Sequence, residues 1–316
     1  MTELEAAAAT VHAVFPPTPQ ISWPLLSQRA GAEVWVKHEN HTPIGAFKVR
    51  GGLVYAAELK GAEPNVTGII SATRGNHGQS LAFAARRLGL SATLVVPHGN
   101  SVEKNAAMRA LGAELVEHGK DFDEAYGHAR TLAAHRRLHM VLAFHPWLVR
   151  GVATYALEFL RAVPDLDTVY VPIGQGSGIC GTMAARDALG LRTKIVGVVA
   201  QNAAAYALSF ARGEPVATDS AATIADGVAC RVPDPTAFEL IRKGVDRIVT
   251  VSEAEIRGAM RHYFTDTHNL AEGAGAAPLA ALLQERERMR GHKVGVILSG
   301  GNVDRDVYSD VLAGKT

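Results

Sequence analysis

Residues 168–181 read Thr168-Val-Tyr-Val-Pro-Ile-Gly-Gln-Gly-Ser-Gly-Ile-Cys-Gly181, a β-branched apolar run that breaks into glycines and then into a helix-forming stretch. A buried strand that turns through glycine into a helix is the unit of an open, largely parallel α/β sheet. The same rhythm recurs outward from it in both directions. Strands are predicted near Val34–Lys37, Gly68–Ser71, Thr93–Val96, Glu114–Glu117, Thr168–Ile173, Lys194–Val199, Arg247–Val251 and Val294–Leu298. Helices are predicted over Ala46–Leu59, His77–Leu88, Val102–Leu111, Phe122–Ala134, Thr154–Arg161 and Glu253–Phe264, several ending near a glycine. No internal repeat, low-complexity run or Pro/Ser linker interrupts the chain, so the domain boundary is expected as a chain crossing within one body.

Composition narrows the class of partner. The 316 residues suit roughly two domains, and 32 Lys and Arg against 31 Asp and Glu leave no basic face for nucleic acid. Apolar runs stop well short of the roughly 20 residues that span a bilayer, which leaves a small metabolite as the natural partner. Glu3 and Glu5 stand where a signal peptide would carry basic residues, and Cys180 and Cys230 are too few for a disulfide framework. A cytoplasmic setting is expected.

Four Gly-rich or polar clusters lie at strand-to-helix junctions, where open α/β sheets bind ligands. They are His41–Gly51, Ser71–Gly78, Gly174–Gly181 and Leu298–Val303. Gly176, Gly178 and Gly181 have the dinucleotide-loop spacing, but the next strand ends Val198-Val-Ala-Gln-Asn202 without the acid that would take the ribose hydroxyls. What remains is a phosphate cradle of converging N–H groups with the Ser177 hydroxyl at a helix N-terminus; a tight turn that only packs helix on strand is the alternative. Lys48, between Phe47 and Val49 at a helix start, is placed for desolvation and the helix dipole to lower its pKa toward a neutral nucleophile. Taken alone it reads more readily as an ordinary snorkelling lysine. Together with a phosphate loop it suggests a lysine that carries pyridoxal phosphate as a Schiff base.

The motifs Gly45-Ala-Phe-Lys-Val-Arg-Gly51, Gly75-Asn-His-Gly78, Thr223-Ile-Ala-Asp-Gly227 and Leu298-Ser-Gly-Gly-Asn302, in that order, resemble the fold-type II pyridoxal-phosphate enzymes of the serine/threonine dehydratase and serine racemase branch. The resemblance runs from about Pro19 to Asp304. It implies an α/β fold of two open, mostly parallel-sheet domains of the tryptophan synthase β-like architecture. Residues 1–54 and 147–316 would form the larger, cofactor-binding domain and residues 55–146 the smaller one.

The resemblance also implies roles. Lys48 matches the cofactor-linked lysine that moves the Cα proton, and Phe47 would pack on the cofactor ring. Asn76 matches the asparagine on the cofactor's phenolic oxygen. Thr73, Arg74, Gly75 and His77 share its loop, which in the family closes on the substrate carboxylate. Gly174, Gln175, Gly176, Ser177 and Gly178 match the phosphate loop, with Gln175 and Ser177 departing from a run of glycines. Ser299 matches the hydroxyl beside the pyridine nitrogen; a neutral group there favours elimination over transamination. The implied activity is conversion of an L-2-amino-3-hydroxy acid of the threonine or serine type to a 2-oxo acid and ammonia, by a homodimer.

Three departures qualify it. Arg74 occupies the position of the second base of racemases, and a guanidinium cannot act as a base. Ala200 and Tyr206 stand where relatives place divalent-cation ligands, so no metal is expected. The stretch Trp147-Leu-Val-Arg-Gly151 is shorter than in typical dehydratases, which opens phenylserine as a substrate, as Arg74 opens hydroxyaspartate. A β-replacement synthase of the cysteine synthase type, or a non-catalytic cofactor-binding protein, are the remaining alternatives. Asp226 and Glu272 fall near the site as acids or as helix caps. His135 and His139 are read as surface residues and Cys180 as packing. The chain stops soon after Asp304, so no C-terminal regulatory domain and no isoleucine feedback are expected.

Overall fold

Strand and helix alternate along the chain because short β-branched runs are separated by Ala- and Leu-rich stretches. The computed structural model describes residues 1–315. The first segment contains α1 (Thr2–His12), β1 (Gln20–Ser22), α2 (Pro24–Ala30), β2 (Glu33–His38) and α3 (Lys48–Ala62). Next come β3 (Gly68–Ala72), α4 (Asn76–Arg87), β4 (Ser91–Val96), α5 (Val102–Ala110), β5 (Glu114–Glu117), α6 (Phe122–Arg136) and β6 (His139–Met140). The chain then continues through α7 (Pro146–Ala162), β7 (Thr168–Pro172), α8 (Ser177–Ala188), β8 (Lys194–Ala200), α9 (Ala205–Arg212) and α10 (Pro235–Gly244). It ends with β9 (Arg247–Val251), α11 (Glu253–Thr267), α12 (Gly273–Gln284), α13 (Arg286–Met289), β10 (Lys293–Leu298) and α14 (Arg305–Leu312).

The strands form two sheets. One has six strands in the order β1-β2-β10-β7-β8-β9, parallel except for β1 on its edge. The other has four parallel strands in the order β5-β4-β3-β6. Both faces of the six-stranded sheet are covered, as parallel sheets require. Val34, Val196 and Val294 join Ala276, Leu279 and Met260 in one apolar cluster, while Val169, Val171 and Ile195 join Phe159, Ile179 and Phe238 in another.

Two expectations shift. The helix anticipated over Thr154–Arg161 begins at Pro146: His145 caps it by accepting the Trp147 N–H at 3.2 Å, and proline suits the first turn. Trp147–Gly151 is therefore helix and not a loop at the cleft, which removes the reason for linking it to a bulky aryl substrate. Its Arg150 instead pairs with Glu58 on α3. The helix expected after Glu272 is α12; it is buried on every side and carries Pro278 inside, so no amphipathic period marks its extent.

Behind the start of α3 lies an ion network in which Lys37, Glu39 and Arg50 are wholly buried. Arg50 donates Nε to Glu39 at 2.7 Å and Nη1 to Glu158 of α7 at 2.6 Å, and Lys37 Nζ reaches Glu158 at 2.6 Å. Removing one member of such a cluster leaves its partners charged in a low-dielectric interior. Replacing Arg50 by Met will therefore destabilise the protein by about 3–5 kcal/mol in urea denaturation, whereas Lys120→Ala, which breaks an exposed pair with Glu124, will change stability by less than about 0.5 kcal/mol. Burial opposes the Glu158 charge, but Arg50 and Lys37 outweigh it and hold the carboxyl down at about 2. Its contribution is thus present above the ordinary carboxylate range and lost as pH falls toward 2, so an Arg50→Met variant should also lose the wild-type acid-stability slope below pH ~4.5.

Candidate active site

The carboxyl ends of β10 and β7 and the start of α3 meet the carboxyl end of β3 across a cleft of about 520 Å³. All of the site residues expected from the sequence line it: Phe47, Lys48, Thr73–His77, Gly174–Gly178 and Ser299. Lys48 is the first residue of α3, placed by hydrogen bonds that tie the preceding segment to the β10 loop. The Phe47 N–H donates to the Ser299 carbonyl at 2.9 Å and Gly301 N–H to Gly45 O at 2.9 Å, the latter with Gly45 at φ 68°.

Lys48 has no carboxylate partner. Its Nζ donates to Ser177 Oγ at 3.0 Å and lies 5.0 Å from the Phe47 ring centroid. Burial therefore acts unopposed and pulls the amine down to about 8. Ser177 is the first residue of α8, whose N-cap, Gly176, sits at φ 98° and offers no side-chain cap. The first-turn N–H groups of a helix lack intrahelical partners, and here they open onto the cleft. Close packing around the loop explains glycine at two of its three glycine positions. A Cβ on Gly174 would meet Gly227 O at 2.2 Å, one on Gly176 would meet Ala237 Cβ at 2.7 Å, and one on Gly178 would enter the space 3.5–3.7 Å from Tyr155 Oη and the Phe47 ring. Tyr206, where a cation ligand was excluded, instead donates Oη to the Gln175 carbonyl at 3.3 Å. Among the described residues no group of three or more His, Cys, Asp or Glu converges as a metal site.

On the facing wall, the buried Thr73 hydroxyl oxygen accepts the N–H groups of Gly75 and Gly78, each at 3.0 Å, and so shapes the loop. His77 Nε2 is buried without a partner, and burial, with Lys48 nearby, lowers its pKa to about 3, so the imidazole is neutral. Arg74 is exposed on the cleft wall with no ion pair among the described residues.

Glu272 and Asp226 are not caps. Glu272 precedes α12 without a side-chain capping bond; its Oε1 accepts from Asn76 Nδ2 at 2.7 Å. Burial pushes this carboxyl up to about 7, opposed by Lys104 and by the Asn76 hydrogen bond. Asp226 pairs at 3.0 Å with Lys104, a residue the sequence reading missed. Burial works against the Lys104 charge, but Glu272 and Asp226 outweigh it and raise its pKa. The available signal was a lysine in the first turn of a helix, where the dipole disfavours a cation.

The family model described as pyridoxal-phosphate dependent enzyme matches residues 13–300. The chain is 35% identical over 289 residues to the L-threonine ammonia-lyase of Thermotoga maritima, covering 91% of this chain and 72% of that protein. It is 33% identical over 299 residues to the L-threo-3-hydroxyaspartate ammonia-lyase of Saccharomyces cerevisiae, covering 94% and 91%. A solved pyridoxal 5'-phosphate-dependent aspartate racemase superposes with a TM-score of 0.91 at 28% identity over 96% of each chain.

An amine at about 8 is half neutral at pH 8, against roughly 1 in 300 for an ordinary lysine. Sub-stoichiometric acetylation of the cofactor-free protein at pH 8, read by peptide mass spectrometry, will therefore modify Lys48 ahead of the exposed lysines. A pH profile of Lys48 labelling with the midpoint of an ordinary lysine would show that its amine keeps an ordinary pKa.

Proposed function

The chain belongs to the pyridoxal-phosphate dependent enzymes, and on that premise we propose that it is a lyase converting an L-2-amino-3-hydroxy acid of the threonine or serine type to a 2-oxo acid and ammonia. The observation that carries this reading is Lys48: a weakly basic amine without a counter-ion, 3.0 Å from a hydroxyl at the N-terminus of α8. The residues fit the cofactor. Lys48 would link to it, and Phe47 would pack on it. The cradle of Gly174, Gln175, Gly176, Ser177 and Gly178 would hold the phosphate with backbone N–H groups, Asn76 would face the phenolic oxygen and Ser299 the pyridine nitrogen.

Pyridoxal phosphate, when bound, supplies an electron sink conjugated to the substrate's Cα. Lys48 Nζ, as a neutral amine, would take the Cα proton and deliver a proton to the departing β-hydroxyl, so that water leaves. The enamine product tautomerises and is hydrolysed by one water to the 2-oxo acid and ammonia. The loop Thr73, Arg74, Gly75 and His77 grips the substrate carboxylate. Neutral His77 serves there as a hydrogen-bonding group without adding charge. Ser299, unlike an acid, would leave the pyridine nitrogen unprotonated and so favour expulsion of the β-substituent. Arg74 supplies no base on the opposite face of Cα, which supports a lyase although racemases share the fold.

The proposal includes residues 55–146 as a small domain set against 1–54 and 147–316, and a homodimer. Both cysteines are buried and unpaired, in keeping with a reducing cytoplasm, and no helix among the described residues is long and apolar enough to cross a membrane. One observation favours a second reading for the side chain: the free guanidinium of Arg74 suits the acid group of a 3-hydroxyaspartate.

Purified, cofactor-loaded protein should release 2-oxo acid from L-threonine or L-serine, and Lys48→Ala should lower kcat by at least about 10²–10⁴-fold; unchanged turnover in that variant removes the mechanism. Arg74→Ala separates the two substrate readings, because under the second it lowers kcat/KM for 3-hydroxyaspartate by about 10-fold or more beyond its effect on threonine, which lacks the side-chain acid. Gly178→Ala should fold normally yet weaken pyridoxal phosphate binding by about 10-fold or more, read by fluorescence titration. Wild-type affinity would place the phosphate elsewhere.

A further inference from the structure

Asn76 is held by two side chains from opposite sides. Asn302 donates Nδ2 to the Ile44 carbonyl at 2.8 Å and to Asn76 Oδ1 at 2.8 Å, and Asn76 donates Nδ2 to Glu272 Oε1 at 2.7 Å. An amide can be turned end for end at little cost unless its neighbours forbid it. Here the chain of constraint starts at the backbone. The Ile44 carbonyl is only an acceptor, so the Asn302 NH₂ must face it; the second N–H of that NH₂ then meets Asn76 and requires an oxygen there. With its oxygen fixed, the Asn76 NH₂ is directed the other way. One of its two hydrogens goes to Glu272, leaving the other available to the cleft.

We propose that Asn302 is a positioning residue that, working from the Ile44 carbonyl, fixes the amide of Asn76 so that an N–H and not the carbonyl oxygen faces the phenolic oxygen of the bound cofactor. The inference rests on the pyridoxal-phosphate reading of the cleft. Its consequence is electrostatic. A donor facing the phenolic oxygen favours the ionised form, whereas an oxygen lone pair in its place disfavours it. Asn302 does not line the cleft itself, so any effect it has on the cofactor must pass through Asn76. Glu272 assists by accepting the first Asn76 hydrogen.

The test is Asn302→Asp. A carboxylate at 302 offers only acceptors, so the Asn76 amide turns its NH₂ toward it and its oxygen toward the cofactor. In wild type loaded with pyridoxal phosphate, the near-ultraviolet and visible absorption is titrated with pH to give the midpoint of cofactor protonation. In Asn302→Asp that midpoint should rise by about one pH unit. Placed in an Asn76→Ala background, the same substitution should add no further shift, since its effect acts through the amide. Should Asn302→Asp fail to fold, Asn302→Ala carries the test, with a smaller shift in the same direction.

An unshifted midpoint in the folded, fully loaded variant overturns the inference, as does a shift that persists without the Asn76 amide. Either result leaves the cofactor reading standing if wild type still binds pyridoxal phosphate and Lys48→Ala abolishes its covalent attachment. Wild type that takes up no cofactor overturns both.

Discussion

The buried guanidinium of Arg50 is the constraint from which the cleft is built. It lies two residues beyond Lys48, on the same first turn of α3, and holds Glu39 at the end of β2 and Glu158 on α7 at once. Those two acids come from a sheet strand and from a covering helix, so satisfying one cation fixes the start of α3 against both layers. A guanidinium out of water cannot shed its proton and must keep its partners. The network therefore allows α3 one seat, and that seat places the Lys48 amine beside Ser177. The isolated β-bridge between Ala46 and Gly300 completes the attachment to the loop after β10.

Across the cleft the two sheets are joined by polar contacts. Lys104 of α5 reaches Asp226, Ser101 donates to Asp304, and Asn76 spans to Glu272 and Asn302. These contacts have individually modest strength and are open to exchange with a charged or polar ligand. An arrangement of this kind suits a site that must admit an amino acid and then exclude water around it.

What the sequence made legible follows from range. Strands were readable because parallel strands buried on both faces are continuous apolar runs, as in Gly68–Ala72 and Lys194–Ala200. The three-residue β1 and two-residue β6 are too short to carry a period. Lys48, Asn76, Ser177 and Ser299 stood out because each sits among glycines at a strand end. Their supporting partners did not: Lys104 meets Asp226 across 122 positions and Asn302 meets Asn76 across 226. Beyond the lysine in the first turn of α5, nothing local in Ser101-Val-Glu-Lys104 or in Ala271-Glu-Gly273 says which distant residue each meets; Glu272 was placed near the site but equally read as a cap.

The two lysines of the cleft show how one cavity keeps one amine reactive and the other inert. Both are withdrawn from water, so desolvation pushes each toward the neutral form. Lys104 is given Asp226 at 3.0 Å and the field of Glu272, which outweigh that push and keep it charged. Lys48 is given only the uncharged Ser177 hydroxyl, so nothing offsets the desolvation. A carbonyl reagent such as an aldehyde reacts with the free base and not with the ammonium. Selection between the two amines thus requires no difference in accessibility. It follows from where the carboxylates were placed, and the same placement that protects Lys104 from reaction lets it serve as a fixed cation between the two sheets.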